Sequence, residues 1–225
     1  MKKMIRKHFS RELEKIKKQI LSLGAMVEEQ VRMATQAVET HDAELAQKII
    51  ESDYDVDEME VEIEEECLKV LALHQPVAVD LRFLIAVIKI NNDLERIGDQ
   101  AVNIAERVDV IAKRDLSDLF FDYSSMGEKV QKMLKMSLDA LVNMDYDLAF
   151  SVVIRDDEVD QIKSEAYDRI KQAMRKHPDK IGYLINLLLI SRHLERLADH
   201  ATNIAEEVIY LIEGEIVRHA AYNRE

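Results

Sequence analysis

Apolar side chains recur every three to four positions along almost the whole chain, the spacing that gives a helix one buried face. Over residues 5–40, Ile16, Ile20, Leu23, Val27, Val31 and Ala34 fall on one such face. Asp42 precedes a second periodic run, 43–73, and is the residue type that caps exposed N–H groups. Gln75-Pro76 predicts a turn, because a residue before proline avoids helical geometry and proline suits a first helical turn. A third helix follows to residue 113. The stretch KRDLSDLFFDYSS, residues 113–125, loses the period and reads as a linker. Helices are predicted again over 126–143, 146–176 and 180–212, with Asp145 as a cap and Pro178 at the last turn.

The later helices repeat the earlier ones. Residues 94–107, LERIGDQAVNIAER, and 194–207, LERLADHATNIAEE, share Leu, Glu, Arg, Asp, Ala, Asn, Ile, Ala and Glu in register. Asp53, Val56, Asp57, Met59 and Glu62 correspond in the same way to Asp156, Val159, Asp160, Ile162 and Glu165, and Asp42 to Asp145. Such a duplication makes each half one structural unit. Short turns make consecutive helices antiparallel neighbours. The expected fold is all-α: two tandem, internally duplicated up-down three-helix bundles, residues 1–113 and 114–225.

Composition narrows the function. Only 5 Gly and 2 Pro in 225 residues leave little room for a turn-rich β fold. A net charge of −13 argues against nucleic acid and favours cations or basic protein surfaces as partners. The single cysteine, Cys67, lies on an apolar helix face and is expected in the core; one cysteine forms no intrachain disulfide, which fits the cytoplasm. The start, MKKMIRKHF, runs into RELEKIKKQ and is not a signal peptide. The most apolar stretch, 183–190, falls far short of the roughly 20 residues that span a bilayer, so no membrane insertion is expected.

The repeated polar residues are the candidate chemistry. Glu95 and Asp99 project from one side of the third helix, and Asn103 continues the row; Glu195, Asp199 and Asn203 do the same in the second half. Residues on one level of a hairpin have numbers adding to a constant, about 152 for a turn near 76 and about 355 for a turn near 177–178. By that measure Asp53 and Asp57 face Glu95 and Asp99, and Asp156 and Asp160 face Glu195 and Asp199. Two acidic pairs on adjacent helices repel one another, and Arg96 and Arg196 point about 100° away from them. A bound cation would relieve the repulsion. Carboxylate and amide donors suit hard ions: Mg²⁺, Ca²⁺, Mn²⁺ or oxidised iron. A ferritin-type di-iron site needs Glu three residues before His, and none of the 7 histidines has it. His200 is a supplementary ligand at most, and His74 reads as a helix-end residue. The ten methionines read as core filler.

The duplicated motif, the QPVAVDLR segment (75–82) and the terminal EGEIVRH (213–219) together resemble the PhoU family over nearly the whole chain. The resemblance implies an all-helical accessory protein of phosphate-specific transport. It implies regulation between a phosphate ABC transporter and its sensor histidine kinase, with the phosphate-starvation response held off when phosphate is plentiful. It also implies a homodimer and multinuclear metal clusters, iron foremost, with Mn, Mg or Zn as other ions. By position the ligands are Asp53, Asp57, Glu95 and Asp99, then Asp156, Asp160, Glu195 and Asp199, with Asn103 and Asn203 as possible ligands or supporting groups. The second half has KHPDKIGYL where the first has QPVAVDLR, and Ala198 where the first has Gly98, a change expected to touch no ligand. No catalytic companion to the acids is visible, so the chain does not read as an enzyme. A carboxylate-bridged metalloenzyme and a metal-free helical scaffold are the alternatives.

Overall fold

A computed structural model describes the backbone of residues 2–113 and 121–215 and the side chains from His8 onward. Most of the linker and most of the EGEIVRH segment lie outside the described residues. Six long helices carry the fold: α1 (Lys2–Thr40), α2 (Ala43–His74), α3 (Ala78–Ala112), α4 (Ser124–Asn143), α5 (Tyr146–Lys176) and α6 (Ile181–Glu213). A 3-10 turn, Pro178–Lys180, joins the last two. Among the described residues there is no strand.

The ends follow local chemistry. Asp42 accepts a hydrogen bond from Leu45 N at 3.0 Å and Asp145 one from Leu148 N at 3.0 Å. Each such cap stabilises its helix by about 1 kcal/mol. The α2–α3 turn differs from expectation in one respect. Gln75 closes α2 in the left-handed conformation, φ 46°, with its N–H on Leu71 O, and α3 begins only at Ala78. Pro76 therefore sits in the turn and not in the first helical turn. Tyr123, within the expected linker, is a core residue whose hydroxyl donates to Leu187 O at 2.5 Å.

Within each half the three helices pack around a shared apolar axis, and the two halves meet along their third helices. The α3–α6 contact is the most extensive between any two helices. Lys89 meets Glu207, Asp93 meets His200 and Gln100 meets His193, so α3 and α6 run antiparallel. Glu95 and Asp99 thus stand level with Glu195 and Asp199, and the halves are related by a pseudo-twofold axis across the seam. The first helices cross as well. Gly24 faces Leu138, and its counterpart Gly127 faces Thr35, the counterpart of Leu138; a side chain at either glycine would crowd the other helix at 3.0 Å or less. The buried apolar residues of both halves form one continuous core, with Cys67 in it.

Candidate metal centres

Asp53 and Asp57 on α2 and Glu95 and Asp99 on α3 come together beside the apolar axis of the first half. Asp53 and Glu95 are half-buried and Asp57 is exposed. Burial, and then the charges of Asp57 and Asp99, raise the Asp53 pKa to about 6. Burial and Asp99 raise Glu95 against the pull of Arg96, with Asp57 and Glu60 adding to the rise. Glu60, one turn beyond Asp57, is raised by burial, by Glu64 and by Asp57, so the cluster has a fifth acid. Arg96 reaches further than its direction on the helix implied: its Nε lies 3.4 Å from Glu95 and its Nη1 3.4 Å from Asp99. Both contacts are long, and the guanidinium is half exposed.

Two oxygens test whether this environment fits a cation. Gln30 on α1 is 2% exposed and donates through Nε2 to Ser52 Oγ at 3.1 Å, while its Oε1 has no hydrogen-bond partner. That oxygen is turned to the cluster. A Cβ on Gly98 would lie 3.1 Å from it, 3.3 Å from Val56 and 3.7 Å from Asp53 Oδ1. Glu95 Oε2 is also buried and makes no hydrogen bond, although the Arg96 Nε charge lies 3.4 Å from it. An acceptor left without a donor costs about 1–3 kcal/mol, and a hard cation is a partner for such oxygens. Gly98 is therefore not remote from the candidate ligands, as its sequence position suggested. It is the gap through which Gln30 and Asp53 approach α3.

The second cluster repeats the geometry with a different charge. Burial, Asp199 and Asp160 raise Asp156 to about 6, with the Thr202 hydroxyl opposing. Burial, Glu195 and Asp160 raise Asp199, against His200 and Lys163. Lys163 stands at the position of Glu60. It pairs with Glu195 and lies 3.8 Å from Asp160. At the position of Gln30 is Met133, also buried. The second site thus replaces one carboxylate by an ammonium and an amide oxygen by a thioether.

The amide nitrogens of the two asparagines are engaged differently. Asn103 Nδ2 donates to Asp99 O at 2.8 Å, and Asn203 Nδ2 donates across the seam to Asp93 Oδ1 at 3.1 Å. His200 donates to the same Asp93 oxygen at 2.9 Å. In neither cluster do three acids bring oxygens within 4.8 Å of one another; among the described residues only His8, Glu12 and His74 converge so closely. Burial first, and then the neighbouring carboxylate charges, raise the pKa values of Asp53, Glu95, Asp156 and Asp199. Glu60, Gln30 and Lys163 are the neighbours that the acid spacing alone missed. Aligning the halves at the offset of Asp53 and Asp156 sets Glu60 opposite Lys163, a signal already present in the sequence.

The family model of the PhoU domain matches residues 20–108 and 123–208, one copy per half. The chain belongs to the PhoU family. A phosphate-specific transport system accessory protein PhoU homolog of Pseudomonas aeruginosa is 40% identical over 98% of the chain and 91% of that protein. A homolog of the same description from Clostridium acetobutylicum is 37% identical over 95% of the chain and 98% of that protein. The crystal structure of PhoU from Pseudomonas aeruginosa superposes with a TM-score of 0.89 over 92% of the chain and 100% of that one, at 40% identity. The phosphate transport system regulatory protein PhoU from Streptococcus pneumoniae gives 0.82 over 93% and 99%, at 32% identity. The PhoU relatives are described as accessory proteins, in agreement with the non-enzymatic reading of the sequence. No helix among the described residues is long and apolar enough to cross a membrane.

Proposed function

We propose that the chain is a phosphate-specific transport accessory protein: a cytoplasmic, metal-loaded helical adaptor that contacts the phosphate ABC transporter and its sensor histidine kinase and represses both the starvation response and phosphate uptake. The observation that carries this reading is family membership over both halves, with relatives of nearly the same length named as phosphate-specific transport system accessory proteins. An adaptor of this kind works by binding one state of its partners better than another. The α2–α3 turn offers a surface for such contacts: Leu73, Val77 and Val79 are exposed there, beside a groove of about 280 Å³ between Val79, Phe83 and Met144. Clustered exposed apolar residues of this kind mark interaction sites. On the outer side of α2, Tyr54, Val61 and Leu68 are exposed at seven-residue spacing, the surface we assign to a homodimer contact.

The metal part of the proposal rests on the orphaned oxygens and the mutually repelling acids. Asp53, Asp57, Glu95 and Asp99, with Glu60 and Gln30 at hand, hold the tighter site; Asp156, Asp160, Glu195 and Asp199 hold the weaker one, since Lys163 already neutralises part of it. A hard cation, iron or a divalent ion, supplies the positive charge that lets the acids stay ionised side by side. Two measurements separate the parts. In cells lacking their own copy, the chain is expected to restore repression of a phosphate-starvation reporter in high phosphate; a folded, expressed protein that leaves the reporter on overturns the regulatory reading. Protein purified without chelator is expected to retain Fe, Mn, Mg or Zn. Metal content near zero that added ions do not restore overturns the metal reading alone.

A further inference from the structure

At the end of the molecule where α1 starts and α2 finishes lies a third set of ligands, of different chemistry. His8 and Glu12 are one turn apart on α1 and share a face, and His74 is the last residue of α2. Glu12 Oε2 lies 2.5 Å from His74 Nε2 and 3.2 Å from His8 Nδ1, and one ligand atom of each residue falls within 4.8 Å of the others. Phe9 packs on the His74 ring with centroids 5.0 Å apart, which holds that imidazole in place. Glu12 is buried, His74 half-buried and His8 exposed, so the group opens to solvent on one side only.

A hydrogen bond joins His74 to Glu12, and the one-turn spacing on α1 brings a second imidazole, His8, to the same carboxylate oxygen. In a four-coordinate zinc site with ligands at about 2.0–2.1 Å, neighbouring donor atoms stand roughly 3.3 Å apart. The His8–Glu12 separation already has that value, and His74 need only withdraw by less than about 1 Å to match it. Two imidazoles and one carboxylate are donors for a borderline ion, whereas the all-oxygen acidic clusters suit hard ones.

We propose that His8, Glu12 and His74 bind Zn²⁺, with water in the fourth position on the open side. The site does not depend on the acidic clusters or on the regulatory role. Its effect is to tie the beginning of α1 to the α2–α3 turn. That turn holds left-handed backbone at Gln75 (φ 46°) and Ala78 (φ 49°) and exposes Val77 and Val79. The ion would hold this turn in one posture.

The test is a titration of chelator-stripped, full-length protein with Zn²⁺ in the presence of a large excess of Mg²⁺, so that the oxygen clusters are occupied by the hard ion. Wild type is expected to take one Zn²⁺ per chain. His8→Ala, Glu12→Gln and His74→Ala should each weaken it roughly 100-fold or more, since loss of a supporting group alone costs 10–100-fold. Co²⁺ in its place should show the intense visible band of a four-coordinate ion, absent in the same variants. Asp99→Asn and Asp199→Asn should leave both signals unchanged. His8 is exposed, so its removal does not threaten the fold and keeps the test valid if Glu12→Gln is unstable. Wild type that binds no Zn²⁺ under Mg²⁺, or His8→Ala that binds it as tightly as wild type, overturns the proposal.

Discussion

Asp53 shows how a single side chain records the cost of the cluster. Its pKa, raised from 3.8 to about 6 by burial and by Asp57 and Asp99, means that the folded protein holds a proton that the unfolded chain has lost between those values. Stability therefore falls as pH rises through that window, and the penalty is fully present above about pH 6. One pKa unit equals about 1.4 kcal/mol, and screening at a half-buried site reduces the sum to the order of 1 kcal/mol. Asp53→Asn is expected to stabilise metal-free protein by that amount at pH 7.5 and by much less at pH 4.5, measured by urea unfolding in chelator. Equal effects at both values would show that the carboxylate charge is not the cause. In metal-replete protein the sign should reverse, because the variant loses a ligand.

At the scale of the helices, the period of apolar residues made all six legible, with ends within a few residues, because so few glycines and prolines interrupt it. The caps Asp42 and Asp145 were legible for the same local reason. Tyr123 was not: one aromatic in a patternless stretch carries no signal until α6 is packed beneath it. The pairing of acids across α2–α3 and α5–α6 followed from hairpin level alone. Lys163 and Gln30 escaped because a search for paired acids registers neither a base nor a residue from the first helix. Their positions make the two clusters unequal, which is testable by exchange. Lys163→Glu should raise the affinity of the second cluster for Mn²⁺ about tenfold or more, and Glu60→Lys should lower that of the first by a similar factor, since unit charges at 4 Å interact by about 4 kcal/mol near a surface before screening. Calorimetric titration of each variant reads both sites. Affinities indifferent to these exchanges would sink the claim of unequal clusters.

For the whole molecule, the decisive feature is the seam, which no single-half reasoning reaches. Hairpin arithmetic relates helices within a half and is silent on α3 against α6. Yet that interface is the largest, and its polar contacts are cross-half: Asp93 with His200 and Asn203, Gln100 with His193, Lys89 with Glu207. Asp93 is 7% exposed and accepts both bonds through one oxygen. Asp93→Ala would leave the donors of His200 and Asn203 facing an apolar surface, a loss of about 1–3 kcal/mol. Asp93→Asn keeps an acceptor oxygen and should lose less. Because the core runs unbroken through the seam, loss of seam contacts should lower the stability of both halves together. Urea unfolding followed by tyrosine fluorescence, which reports mainly the second half because six of the seven tyrosines lie there, and by helical circular dichroism, which reports both, should give one coincident transition in wild type and in Asp93→Ala, shifted to lower urea in the variant. Two separated transitions would mean that the halves are independent bundles that merely touch. In that case an ion bound in one acidic cluster would have no mechanical route to the other. A single transition means that neutralising the acids of either cluster stabilises the same cooperative unit.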